Sequence, residues 1–244
     1  MTRLPIGFSQ RVLPEWLEWT AQMALAGLAT EAIYAELQNR LRPLVSVGGP
    51  DLHSTRNKVV NLLLNIWVKV PDALQPFRDE GLELLSQTAL TTHLPVHWGM
   101  CLAAYPFFGT VVEAVGRLLQ LQTTLTFAQI ERRVQEKYGE RETVRRAAQS
   151  VFYGLQDWGF LTKTDERMVF AGTKPLPLSD PRLTNWLVEA GMITMGVETV
   201  GLGAAAKMPV LFPFALPEPR IAPSTRLELF RQGLDNDVIM RIKP

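Results

Sequence analysis

The chain has 244 residues, of which 47% are apolar and 20% charged. This composition is that of one large or two small globular domains, and it excludes disorder along the whole chain. The 25 basic and 24 acidic residues nearly cancel, so any nucleic-acid binding needs a local basic surface. A single cysteine excludes an internal disulfide framework, and the N-terminus lacks an apolar secretory run. We therefore expect a cytoplasmic protein.

The first 122 residues predict an all-helical bundle. Helix-forming residues dominate positions 15–41, where Gly27 is a candidate break between two helices. Asp51 or Ser54 is placed to cap the next helix, which has a broad apolar face over residues 59–70. No strand alternation or internal repeat interrupts this region, and we predict five or six helices. The remaining helices are predicted at Pro76–Leu90, Val96–Ala104 and Phe108–Leu121.

One stretch of this bundle needs a membrane test. Between Glu83 and Glu113, 29 consecutive residues include no Asp, Glu, Lys or Arg, and a membrane-spanning helix needs about 20 mostly apolar residues. Pro95 and Pro106 interrupt the stretch, and Ser, Gln, Thr and His side chains are scattered through it. We therefore predict two buried helices with a connection and no membrane partner.

Residues 123–174 predict a winged helix–turn–helix. Thr126 followed by Gln129 is a capping box at the start of a helix, and Gly139 follows the last apolar position of that helix. A second amphipathic helix ends before Gly159. The order helix, tight turn, helix and hairpin is typical of winged-helix domains. The two strands of the hairpin are predicted at Phe160–Lys163 and Met168–Ala171, around a polar tip.

Residues 175–244 are rich in proline and predict an extended tail. We expect short helices over residues 180–190 and 224–232 and a strand over residues 238–242. The tail is too small and too rich in proline for a core of its own, so we expect it to pack over the other two parts. The overall prediction is a mainly α protein: a helical bundle (1–122), a winged helix (123–174) and the tail (175–244).

The second helix of the winged-helix segment carries a candidate DNA interface. Arginine suits the two acceptors of guanine and glutamine suits adenine, while other basic side chains can meet phosphates. Residues 117–174 hold ten basic and seven acidic residues, a net charge of +3, although Glu140 and Glu142 would repel phosphate. The alternative is a protein-interaction module with a solvated basic face. The candidate residues are Arg132, Arg133, Lys137, Arg141, Arg145, Arg146, Gln149, Lys163 and Arg167.

The sequence offers little for catalysis or metal binding. His93, His97 and Cys101 have helical spacing, but Pro95 is expected to leave His93 outside the helix, and two ligands do not make a metal site. The favoured interpretation is a buried cysteine beside a hydrogen-bonded histidine. No Ser–His–Asp arrangement, catalytic carboxylate pair or nucleotide-binding motif is present. We expect a non-enzymatic protein without metal or cofactor.

Three stretches resemble the BrxA family of BREX phage-defence systems. They are the helix start at Ser54–Val60, the run from Trp98 to Phe108, and the segment from Glu142 to Leu161. The tail after Lys174 has no counterpart in the resemblance. The resemblance implies a helical, NusB-like part, winged-helix elements, association with DNA, and a role as an accessory component of a multi-protein defence system.

The leading hypothesis is thus a DNA-binding accessory protein. Its expected partners are double-stranded DNA and other defence-system proteins. Two alternatives stay open: an adaptor whose winged helix contacts protein, and a transcriptional regulator, which would need a dimer and a palindromic target. The sequence has no coiled-coil heptads, so the oligomeric state is not predicted.

Overall fold

The protein is mainly α-helical, as predicted. A computed structural model describes residues 4–45, 54–221, 226–231 and 237–242. These residues form ten α-helices, three short 3₁₀ helices and three small sheets. Their buried apolar side chains make one continuous cluster that includes residues from all three predicted parts. The boundaries near residues 122 and 174 stay predictions.

Six helices form the N-terminal part. Gly27 separates the first two and adopts a positive φ of 72°, which a residue with a side chain would rarely adopt. Ser54 caps the third helix, because its Oγ accepts a hydrogen bond from the Asn57 N–H at 3.2 Å; Asp51 lies outside the described residues. The helices are α1 (Pro14–Leu25), α2 (Thr30–Leu41), α3 (Thr55–Trp67), α4 (Gln75–Gln87), α5 (His93–Ala104) and α6 (Pro106–Leu121).

Helix α5 begins earlier than predicted. His93 is its first residue, so the expectation that Pro95 leaves His93 outside the helix is wrong. The physical reason is the position of the proline: in the first turn of a helix the backbone N–H has no intrahelical acceptor, so its loss costs little. His93 and His97 are therefore one turn apart on the same helix.

The next segment combines two helices with a three-stranded antiparallel sheet. The capping box predicted at Thr126 and Gln129 is present at the start of its first helix. Gly139 and Gly159 follow the two helices with φ of 82° and 78°. The strand order is β1-β3-β2. The elements are β1 (Thr124–Thr126), α7 (Phe127–Tyr138), α8 (Glu142–Asp157), β2 (Leu161–Lys163) and β3 (Val169–Gly172).

The C-terminal part differs from the predicted extended tail. Residues 227–231 of the helix predicted over 224–232 form a strand instead, because antiparallel pairing with the last strand supplies their backbone hydrogen bonds. The last strand itself was predicted. The elements are β4 (Leu176–Pro177), α9 (Pro181–Met195), β5 (Thr199–Gly201), α10 (Leu202–Ala205), β6 (Phe214–Ala215), β7 (Leu227–Arg231) and β8 (Asp237–Arg241). Strands β4 and β6 pair in parallel, and β5-β8-β7 form a third sheet.

Helix α9 belongs to the core. It continues past its predicted end at Ala190 and packs against α5, with ten consecutive residues buried, Leu183 to Met192. Its Trp186 stacks on Phe77 with ring centroids 4.3 Å apart. A Cβ at position 99 of α5 would overlap the Trp186 indole ring, so Gly99 permits the close approach of the two helices.

No single helix of the described ranges has both the length and the apolar character to cross a membrane. The two segments Leu90–Ala104 and Pro106–Leu121 are long and apolar enough only when they are taken together, and the chain bends by 117° between them. As predicted, it consists of helices that are largely buried, and they meet at Tyr105 and Pro106.

Replacement of Gly99 by alanine tests the contact between α5 and α9. We expect Gly99→Ala to lower the free energy of unfolding by about 1–3 kcal/mol, because the added methyl group forces Trp186 from its position. Urea unfolding monitored by circular dichroism measures the change.

Gly154→Ala in α8 is the matched control. A Cβ at Gly154 would meet no heavy atom within 4 Å, so alanine there should stabilise the helix by up to about 1 kcal/mol. Equal stability of wild type and Gly99→Ala would contradict the packing argument.

Candidate nucleic-acid interface

Helix α8 has one buried and one polar side. Its apolar residues, from Val144 to Leu155, pack against α6 and α7. Arg145 and Arg146 are exposed on the opposite side, and Gln149 beside them is half-buried. The Arg146 side chain is 74% exposed. This polar side is the candidate surface for base and phosphate contacts.

The arginines of this helix are engaged to different degrees. The spacing of Arg141, Arg145 and Gln149, four residues apart, predicts that the three share one side of the helix. Arg141 instead lies outside it, because it is the extended residue before α8 and donates a hydrogen bond to the Tyr138 carbonyl at 3.1 Å. Arg145 lies 3.4 Å from Glu131 of α7 and so links the two helices. Within the described residues, the hydrogen bond and ion pair of the Arg146 side chain are both with Glu142 of its own helix.

Glu142 shares this surface with both exposed arginines. Arg146 Nε donates to Glu142 Oε1 at 2.8 Å, and Arg145 Nη1 lies 3.6 Å from the same oxygen. The hydrogen bond from Arg146 holds the pKa of Glu142 below its usual value. The carboxylate is therefore charged at neutral pH and offsets one of the two positive charges.

Among the described residues, no hydrogen bond or ion pair joins the three candidate residues of α7 to α8. Lys137 Nζ donates to Thr110 Oγ1 of α6 at 3.2 Å. Arg132 and Arg133 line a shallow recess with Leu118 of α6. Arg132 is exposed and lies 3.7 Å from Glu136. Glu131 of α7 contacts the α8 surface instead, through its ion pair with Arg145.

The two remaining candidates lie on the β2–β3 hairpin. Lys163 ends β2, and Arg167 is at the exposed turn. Asp165 and Glu166 are exposed at the same turn, so the four charges of the tip cancel. No hydrogen bond or ion pair within the described ranges joins Lys163 or Arg167 to α8.

An N-terminal segment, residues 6–12, runs beside α8, and we call it the strap. Arg11 forms an ion pair with Asp157, with Nε to Oδ2 at 2.8 Å. The Ser150 hydroxyl donates to the Ser9 carbonyl at 3.4 Å, and the Trp158 indole N–H donates to the Val12 carbonyl at 2.7 Å. The strap therefore flanks the polar side of α8 without covering Arg146.

Sequence reasoning missed the strap. The available signal was the absence of any acidic residue before Glu15, together with the apolar residues Phe8 and Val12 on either side of the polar run 9–11. Both of these apolar side chains are buried. Their burial ties the strap to the core of the protein.

A second polar cluster lies inside the helical bundle. Glu18 Oε2 of α1 accepts hydrogen bonds from His93 Nδ1 at 2.9 Å and from His97 Nε2 at 2.8 Å. His93 Nε2 also faces the Thr88 carbonyl at 3.2 Å. The cluster therefore joins α1 to the start of α5.

Hydrogen bonding and burial shift the pKa values of this cluster in defined directions. Burial alone would raise the pKa of Glu18, but hydrogen bonds from His97, His93 and Gln22 outweigh it and lower the value to about 2. Burial lowers the pKa of His97, although Glu18 opposes this. Glu18 is thus ionised and His97 neutral at pH 7.

The cysteine is buried beside this cluster, as predicted. Burial raises the pKa of the Cys101 thiol, which disfavours the thiolate. Within the part of the chain that the structure describes, no group of three or more His, Cys, Asp or Glu side chains is arranged to hold a metal ion.

Comparison of the chain with protein-family models, curated proteins and solved structures gives no match in any of the three. The geometry of the α8 surface, the strap and the hairpin therefore carries the functional argument.

The buried cluster predicts loss of stability in acid. Below pH 6.5 the unfolded chain takes up a proton on His97 that the folded chain does not, so the free energy of unfolding falls. From about pH 4.5 to about 2, Glu18 adds a second loss, since its pKa is lower in the folded state. Urea unfolding over a pH series measures both losses.

The variant Glu18→Gln should lack the second loss and show a shallower decline of stability below pH 4.5. Glu15→Gln, an exposed position on the same helix, should retain the wild-type decline. If Glu18→Gln and wild type decline in parallel, the buried Glu18 carboxylate does not carry the acid sensitivity.

Proposed function

We propose that residues 106–172 form a winged helix–turn–helix that binds double-stranded DNA through α8. The support is the order of the elements: α6, β1, α7, α8, β2 and β3 follow one another, the three helices pack together, and the strands pair in the order β1-β3-β2. In such domains the second helix of the helix–turn–helix enters the major groove. The proposed unit starts at α6, earlier than residue 123.

The observation that carries the proposal is the open polar side of α8. A helix of 16 residues is about 24 Å long, and Arg146 near its start is exposed beside Gln149. Arginine pairs with guanine and glutamine with adenine in the major groove. The strap adds no carboxylate to this side, since its sequence has none.

A protein-binding adaptor is the second candidate function. Glu142 pairs with both exposed arginines, and the charges of the hairpin tip cancel, so the positive potential of the surface is small. These features favour a protein partner with mixed charge over a polyanion. The two candidates differ in what removal of Glu142 should do.

Substitutions at the two residues of the Glu142–Arg146 pair should change the affinity for duplex DNA in opposite directions. If α8 binds duplex DNA, Arg146→Ala should weaken the affinity by about 1–3 kcal/mol where the arginine meets a base. Glu142→Gln should strengthen it, because a carboxylate that repels phosphate is removed. Fluorescence anisotropy with a labelled duplex, over a salt series, measures both.

The Glu113–Arg117 pair of α6 is the matched control, with the same spacing and an ion pair of 2.7 Å. Arg117→Ala and Glu113→Gln should leave the affinity as in the wild type. Wild-type protein that binds no duplex at low salt, or four variants with equal affinity, would favour the adaptor and exclude the α8 assignment.

We further propose that the protein is a non-enzymatic accessory component of a BREX-like phage-defence system. This part rests on the resemblance of residues 54–60, 98–108 and 142–161 to the BrxA family. In this role, α8 would hold the duplex while other surfaces meet the defence-system proteins.

The genomic position of the coding sequence tests this role. We expect it to lie beside genes for a DNA methyltransferase and a large ATPase, because an accessory component is made together with the assembly it serves. A consistent position among unrelated genes in several genomes would remove the defence role and leave the DNA-binding proposal in place.

A further inference from the structure

The outer face of α3 has no acidic residue and no large apolar residue. The exposed positions of this helix are Thr55, Lys58, Asn61 and Asn65, and exposed Lys69 follows its end. The sequence from Ser54 to Pro71 contains no Asp or Glu. No ion pair within the described ranges involves Lys58 or Lys69. We call Lys58, Asn61, Asn65 and Lys69 the α3 stripe.

The α3 stripe is connected to the α8 surface through the strap. Asn65 Nδ2 donates to the Tyr105 hydroxyl at 3.3 Å. The ring of Tyr105 packs edge-on against Phe8, with centroids 5.5 Å apart, and lies over Gly7. Ser9, which follows Phe8 in the chain, accepts the hydrogen bond from Ser150 of α8 through its carbonyl. The strap and Tyr105 therefore connect the two surfaces.

The strap itself carries no unpaired negative charge. The strap has no Asp or Glu, and the carboxylate of Asp157 at its edge is neutralised by Arg11. A polyanion that lies on α8 can therefore continue across the strap without meeting a free carboxylate there. Lys58 and Asn65 are seven residues apart, which is about 10 Å along the helix, or about three nucleotides of one strand at 3.4 Å each.

We propose that the α3 stripe is a second contact to the backbone of the same duplex that α8 binds. The inference rests on the proposed function and extends the length of DNA that the protein engages. Lysine and asparagine side chains donate to phosphate oxygens and fix the orientation of a duplex without reading its sequence. A protein partner fits this face less well, because protein interfaces have an apolar or aromatic centre and the stripe has none.

The test uses the full chain and two labelled duplexes, of about 10 and about 20 base pairs, one and two helical turns. Affinity is measured by fluorescence anisotropy between about 50 and 200 mM salt. We expect the double variant Lys58→Ala, Lys69→Ala to bind the longer duplex on the order of tenfold more weakly. The slope of log affinity against log salt concentration should be less negative by about 1.8 for this variant. Each of the two lost phosphate contacts removes about 0.9 from the slope. The shorter duplex should be bound as by the wild type.

Lys174→Ala, Lys207→Ala is the matched control. Both lysines are exposed and lie in or next to residues that line the groove between α6, β3 and residues 206–216. The control makes the same change in net charge and should leave both affinities as in the wild type. Lys58→Arg, Lys69→Arg should restore binding of the longer duplex, because arginine keeps the charge.

The outcomes separate this inference from the proposed function. If the wild type binds both duplexes and the α3 double variant behaves like the control, the α3 contact is excluded and the α8 proposal stands. If the wild type binds neither duplex, the proposed DNA-binding function is excluded, and the α3 contact that rests on it is excluded as well. Thermal melting of each variant confirms that the fold is retained, which the exposure of both lysines leads us to expect.

Discussion

The packing of α5 in the centre of the molecule is the constraint on which the rest of the structure depends. Its Trp98 ring meets Phe108 of α6, Trp158 and Phe160 after α8, and Phe212 and Phe214 of the C-terminal part. The indole N–H donates to the Val210 carbonyl at 3.0 Å. One buried side chain thus joins the bundle, the proposed winged helix and the C-terminal segment.

The residue after Trp98 fixes the other side of α5. Gly99 leaves room for Trp186 of α9, and the Trp186 indole N–H donates to the Phe77 carbonyl at 3.0 Å. A side chain at position 99 would separate the helices, since a packed core does not absorb extra volume without strain. The two consecutive residues therefore place α8 and α9 relative to the same helix, and the candidate DNA surface has a rigid support.

Several charged side chains around α8 are paired with neighbouring elements of the protein and are not left free for a ligand. Arg145 is tied to α7 through Glu131, and Arg11 of the strap is tied to Asp157. These pairs hold the neighbouring elements against α8 and reduce the positive charge left for a polyanion. For the proposed DNA binding, a single α8 surface of this kind would supply little electrostatic attraction, and the proposed backbone contact on α3 would add to it.

The sequence by itself determined the elements whose signals are local. The capping box at Thr126 and Gln129, the breaks at Gly27 and Gly139, and the cap at Ser54 depend on a few neighbouring residues, so helices α1 to α8 could be placed before their packing was known. The exposed face of α8 followed from the helical spacing of its apolar residues. These rules act within one or two turns of chain.

Only the tertiary structure decided the features that join distant residues. The strand at Leu227–Arg231 exists because β8 pairs with it. Met208 packs against Gly191 of α9 in the space that a side chain would occupy. Contacts between helices also decided which candidate residues lie together. Lys137 donates to Thr110 of α6, and the residue of α7 that pairs with Arg145 of α8 is Glu131, not an arginine. Such contacts link residues far apart in the chain, and their energies come from packing and charge pairing that no local spacing reports.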